Sequence, residues 1–238
     1  KGRVHAFEAQ LARAHTRKKL KFTLPGPMTI VDTVANGSQR PYPDRVALAF
    51  AFAELLNQEA LALQADGVDI IQFDEPAFNV YLPEATDWGV KALERAAQGL
   101  TATTAVHICY GYGIKANTDW KETLGGEWRQ YAQVFPALAA SSIQQVSLEC
   151  YHSHVPPEMM DLLKGKDVMV GVIDVASDVI ETPEQIADTI GMALQHVPRN
   201  RLFPCTNCGL APMSREVAVK KLEALAQGAA LARQRYGA

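Results

Sequence analysis

The 238-residue chain carries 23 Lys and Arg against 26 Asp and Glu, with 48% hydrophobic and 21% charged residues. A net charge of −3 offers no basic field to nucleic acid or anionic lipid, so neither partner is expected. No uninterrupted apolar run reaches the ~18 residues that a membrane span needs, and no secretory signal is visible. The four cysteines are too few for a disulfide scaffold at this length, which points to reduced thiols in the cytoplasm.

Strand and helix patterns alternate along the chain. Val4–Arg17 reads as a helix and Leu20–Leu24 as a strand, stopped by Pro25-Gly26-Pro27. A largely apolar helix follows from about Pro43 to Ala65, ended by Asp66-Gly67. Val68–Phe73 reads as a strand, Val90–Leu100 as a helix and Thr103–Cys109 as the next strand. Tyr110–Gly126, rich in Gly and polar residues, is expected to be a long loop. Glu127–Ala140 is helical, Gln144–Glu149 a strand and Pro157–Leu163 a short helix. Val168–Ile173 is a strand, Pro183–His196 a helix with Pro in its first turn, and Leu202–Pro204 a short strand. A helix over Ser214–Tyr236 closes the pattern.

Short apolar strands separated by helices describe a parallel sheet covered on both faces. No linker or shift in composition divides them, so residues 1–238 are expected to form one domain. The expected fold is a (β/α)₈ barrel with its first strand or two missing from this chain. An open doubly wound sheet is the alternative, although no strand is followed by the GxGxxG dinucleotide fingerprint. The chain opens with Lys1 rather than Met, consistent with an absent N-terminal segment.

Chemistry gathers at the strand ends, where parallel α/β folds build their sites. His107 and Cys109 stand two apart in AVHICYG, so on an extended chain both side chains point the same way. Cys208 in PCTNCGL also follows a strand. One imidazole and two thiolates suit Zn²⁺ better than Mg²⁺ or Ca²⁺, which take oxygen. Glu149 in VSLECY is a fourth candidate, because buried glutamates usually pair or coordinate. Its neighbour Cys150 faces the other way on an extended strand, so only one of the two reaches the metal. Cys205 and Cys208 form a CxxC, but Gly209 and Pro212 follow in place of the helix that a redox dithiol usually opens. Asp74 and Glu75 in QFDEPAF suit an ammonium group or acid–base work. TLPGPMTI reads as a rigid turn that shapes a pocket wall or is only a turn. His152 and His154 read as surface histidines or partners of the metal ligands.

FTLPGPMTI, IIQFDEPAF, HICYG, LECYHS, GVIDVAS and NCGL occur here in the order found in the zinc-bearing catalytic domain of cobalamin-independent methionine synthases, and the chain resembles that family from Thr23 to Leu210. The resemblance implies a (β/α)₈ barrel and a methyltransferase that converts L-homocysteine to L-methionine. It implies zinc held by His107, Cys109, Glu149 and Cys208, with Asp74 holding the homocysteine amino group and Glu75 close by. Related zinc methyltransferases acting on coenzyme M share the H-x-C plus distant C pattern. A porphyrinogen decarboxylase-like barrel without zinc shares the architecture. The chain has no room for the additional barrel of the full-length enzymes, and no glycine-serine-phenylalanine strand precedes Thr23. Ala176 stands where the folate-using members carry a histidine, so the methyl donor is left open between methyl-folate and a corrinoid or other carrier protein. Tyr110, Tyr112 and Trp120 are the residues expected either to line the donor side or to staple their own loop.

Overall fold

A computed structural model of the chain describes residues 2–34, 42–112 and 115–237. The chain divides into two compact units: Lys1–Ile108 with Ala140–Gln145, and Cys109–Ala139 with Val146–Ala238.

The first unit opens with α1 (Ala6–Ala14), β1 (Lys21–Pro25), α2 (Pro27–Thr33) and α3 (Arg45–Ala65). The Pro-Gly-Pro segment is thus more than a turn, because a helix begins at its second proline. Proline suits that first position, where its missing N–H costs no hydrogen bond. Asp44 caps α3 by accepting a hydrogen bond from the Ala47 N–H. By length and composition α3 is apolar enough to cross a membrane, a property that a search for unbroken apolar runs passes over. It packs instead as a core helix, burying Leu48, Ala53, Leu56, Ala60 and Leu63. Its buried Asn57 donates to the carbonyls of Ala96 and Gln98.

β2 (Ile70–Asp74) leads through α4 (Ala77–Val80), α5 (Leu82–Glu84) and a π-helical turn at Ala85–Gly89 into α6 (Val90–Ala96) and β3 (Thr103–His107). The sequence pattern finds only the last part of this helical run, since Pro76 and Pro83 break the period. β1, β2 and β3 pair in parallel, and the register sets Pro25 beside Asp74 and Asp74 beside His107. Three strand ends of this unit therefore finish level.

The second unit holds α7 (Lys115–Glu122), α8 (Tyr131–Ala140), β4 (Gln145–Glu149), β5 (Asp167–Ile173), α9 (Pro183–Ala193), β6 (Leu202–Thr206) and α10 (Arg215–Tyr236). The expected long loop after Tyr110 contains α7, a strongly polar helix without the apolar stripe that sequence reading looks for. Thr182 and Gln185 form a reciprocal capping box at α9, and Ser214 caps α10. β5 and β6 pair in parallel with an irregularity between Gly171 and Ile173. Within each unit the strands follow sequence order, β1-β2-β3 in the first and β4-β5-β6 in the second.

One buried ion pair ties α10 to the loop before α9. The Lys221 ammonium donates to both oxygens of Glu181, at 3.0 and 2.9 Å, and to the Val179 carbonyl at 2.6 Å. Glu181 in turn accepts from the backbone N–H of Asp174, at the end of β5. Removing one partner of a buried pair strands the other charge, so Lys221→Met should cost about 3–5 kcal/mol. A fall in the urea midpoint at unchanged slope would register that loss, whereas a change below about 1 kcal/mol would show the pair to be dispensable.

Candidate metal centre and its surroundings

In the second unit, the sulfurs of Cys109 and Cys208 lie 3.5 Å apart although 99 residues separate them in sequence. No disulfide joins them; all four cysteines are thiols. Two sulfurs each about 2.3 Å from one tetrahedral zinc stand about 3.8 Å from each other, so the observed spacing fits a shared ion. His107 ends β3 in the first unit, two residues before Cys109 in sequence. The Cys109 thiol sits well above its usual range, chiefly because it hydrogen-bonds the Cys208 sulfur and also because it is buried.

The segment carrying Cys208 is pinned by its neighbour Asn207. The Asn207 side chain accepts from the Cys150 N–H at 3.3 Å and donates to the Tyr151 carbonyl at 2.8 Å. Its backbone N–H donates to the Ile173 carbonyl at 2.9 Å. A Cβ on Gly171 would stand 2.1 Å from the Asn207 amide oxygen, so β5 needs glycine there. Neither Asn207 nor Gly171 is found by sequence reasoning. A buried asparagine immediately before a ligand-type cysteine was the available signal.

Glu149, wholly buried at the end of β4, is near this pair of thiols. Burial pushes its pKa up, while the Tyr110 N–H and the Tyr112 hydroxyl oppose that by hydrogen bonding to it. Cys150 is directed elsewhere, and burial alone pushes it up to about 12. Cys205, the CxxC neighbour of Cys208, lies on β6, whereas the sulfur 3.5 Å from that of Cys208 belongs to Cys109.

Tyr110 is buried in an aromatic cluster with Trp120, Trp128 and Tyr131, with ring centroids 5.8, 4.7 and 5.3 Å away. It and Trp120 staple their own segment. Tyr112 instead lines a cavity of about 510 Å³ with Lys121, Trp128, Glu149, His152, His154, Asp174 and Ala176 among its walls. His152 has φ of 54°, a left-handed conformation that a non-glycine residue adopts at some cost. Its Nδ1 lies 3.8 Å from an Asp174 oxygen.

In the first unit, Asp74 and Glu75 part company. The Asp74 carboxylate accepts from the Gln72 side-chain amide at 2.8 Å. Glu75 turns inward onto the start of α2, taking the Met28 N–H at 3.0 Å, the Thr29 N–H at 2.8 Å and the Thr29 hydroxyl at 2.7 Å. Gly26 makes room for it, since a Cβ there would fall 2.1 Å from the Glu75 carboxyl carbon.

Residues 2–231 match the family model described as cobalamin-independent synthase, catalytic domain. The chain belongs to this family. It is similar to the B12-independent methionine synthase from Shewanella sp. W3-18-1 solved in complex with selenomethionine, at 55% identity and a TM-score of 0.94 over 99% of this chain and 68% of that one. It is 32% identical over 219 residues to a methionine synthase of Saccharolobus islandicus, covering 90% of this chain, and 28% identical to that of Sulfurisphaera tokodaii, covering 91%. The chain spans 59% and 58% of the lengths of these two relatives. The α/β class of the TIM-barrel type is therefore borne out.

Burial raises Glu75 to about 7 against an ordinary 4.5, a rise opposed by its hydrogen bonds to Thr29 and Met28. Between those values the folded chain keeps a proton that the unfolded chain has released. Its contribution to stability is complete below pH ~4.5 and is lost as pH rises through ~7, by at most about 3 kcal/mol. Denaturation of wild type and Glu75→Gln at pH ~5 and ~8 should show the variant gaining relative to wild type on going up in pH. A constant difference would mean that Glu75 does not titrate in this window.

Proposed function

We propose that the chain is the zinc-bearing part of a methyltransferase that methylates the thiol of L-homocysteine to give L-methionine, acting in the cytoplasm. The thiol pair of Cys109 and Cys208, 3.5 Å apart without a disulfide, carries this reading. Membership of the synthase family and relatives named methionine synthase support the reaction. The Shewanella relative, solved with selenomethionine, supports an amino-acid product of that shape.

His107, Cys109 and Cys208 would hold zinc, with Glu149 as the fourth ligand. When bound, zinc supplies a Lewis acid that keeps a substrate thiol ionised at neutral pH, where a free thiol near 8.5 is mostly protonated. With the thiolates of Cys109 and Cys208 and the Glu149 carboxylate around it, bound zinc would form a centre with a formal charge of −1. Such an electron-rich set favours a sulfur nucleophile over the hydroxide that three histidines would generate.

Asp74 takes the substrate ammonium, held in place by the Gln72 amide and by strand register beside His107. Glu75 supports that end of β2 through the start of α2. The methyl donor enters the cavity beside Glu149, where Tyr112, Lys121 and Trp128 form one wall. Ala176, in the same cavity, has no group to protonate a folate nitrogen, which favours a corrinoid or another carrier as donor.

Metal analysis after gentle purification should find about one Zn²⁺ per chain; less than about half overturns the reading. Cys208→Ser should lose zinc and homocysteine methylation together, with far-UV circular dichroism nearly unchanged. Asp74→Asn should keep zinc and weaken homocysteine binding about tenfold or more, as expected for loss of a charged hydrogen-bond partner. Homocysteine binding as tight as wild type would remove Asp74 from amine recognition, and a panel of other thiols checks the choice of acceptor.

A further inference from the structure

Both oxygens of Glu149 are taken up by the segment that follows Cys109. The Tyr110 N–H donates to one at 2.8 Å and the Tyr112 hydroxyl to the other at 2.6 Å. A hydroxyl 2.6 Å from a carboxylate oxygen is in the short range of charge-assisted hydrogen bonds. Tyr112 is steadied from its other side by the Lys121 ammonium, 3.8 Å from its ring centroid.

A carboxylate that leaves a cation inside a protein must find other donors, because an ionised group buried without them costs several kcal/mol. The two donors on Glu149 are of different kinds. The Tyr110 N–H belongs to the backbone and is present whatever the side chain; the Tyr112 hydroxyl is a single removable atom.

We propose that Tyr112 is a positioning residue, whose hydroxyl catches the Glu149 carboxylate and lets an incoming thiol take its place beside Cys109 and Cys208. This rests on the zinc thiol-transfer reading above and adds to it the residue that governs the exchange. Tyr112 touches neither of the two cysteines' roles directly; it acts through Glu149. Without its hydroxyl, the carboxylate has one donor fewer away from the metal and holds the ligand position more firmly against substrate.

The test uses the whole zinc-loaded chain and Tyr112→Phe, which removes one oxygen and keeps the ring under Lys121. Zinc retention against a chromogenic chelator should be equal to or tighter than wild type. Homocysteine affinity, measured by calorimetry without a methyl donor, should fall about tenfold or more. Zinc-edge X-ray absorption should keep an oxygen ligand at homocysteine concentrations that replace it in wild type. In a Glu149→Ala background, Tyr112→Phe should have no effect on homocysteine affinity; a merely structural tyrosine would lower it equally in both backgrounds. That equal loss, or wild-type affinity in the single variant, overturns the catch while leaving the zinc reading intact. A wild-type chain that holds no zinc, or whose zinc ignores homocysteine, overturns the underlying reading and the catch with it.

Discussion

Two thiols 3.5 Å apart with no bond between them, one buried and one half-buried, are the constraint around which the second unit is arranged. Sulfurs at that spacing in an oxidising site would close into a disulfide of about 2.05 Å, and in an apolar one they would simply pack. Here the Cys208 sulfur, together with burial, holds the Cys109 thiol well above its ordinary range. A divalent cation bound there would relieve the crowding of potential negative charge on the two sulfurs. The surrounding fold serves to hold that spacing: Asn207 pins the strand end before Cys208, and Gly171 clears space for Asn207.

Buried glutamates repeat the same logic at three places. Glu75 is answered by the first turn of α2, Glu149 by an amide and a phenol, and Glu181 by Lys221 and the Asp174 amide. Glu75 and Glu149 lie at or just after a strand end and Glu181 in the loop before α9, and each joins its segment to a different element. Carboxylates used in this way are structural bolts whose geometry is strict, because every missing donor leaves charge in a low-dielectric interior. The site residues are therefore fixed less by their own rotamers than by this second set of acids.

Much of this was legible in the sequence. Apolar strands between helices gave the parallel α/β reading, and the H-x-C with a distant C marked the residues that prove to lie together in Cys109 and Cys208. What stayed hidden has physical causes. α7 is polar all round and carries no stripe, while α4 to α6 are interrupted by prolines and a π turn. Asp74 and Glu75, adjacent and chemically alike, read as a pair, but successive residues at a strand end diverge, and only hydrogen-bond partners reveal which one is occupied by α2. A long-range clamp such as Lys221, paired with Glu181 forty residues away, leaves no local pattern at all.

The ion pair of Lys221 and Glu181 links a helix far along the chain to the wall of the cavity, since Glu181 also holds the backbone of Asp174. α10 is therefore tied to the wall of that cavity without lining it. Trimming or re-anchoring α10 for a fusion or an immobilised reagent would loosen the backbone at Asp174, and attachment points are better sought on the exposed face of α1.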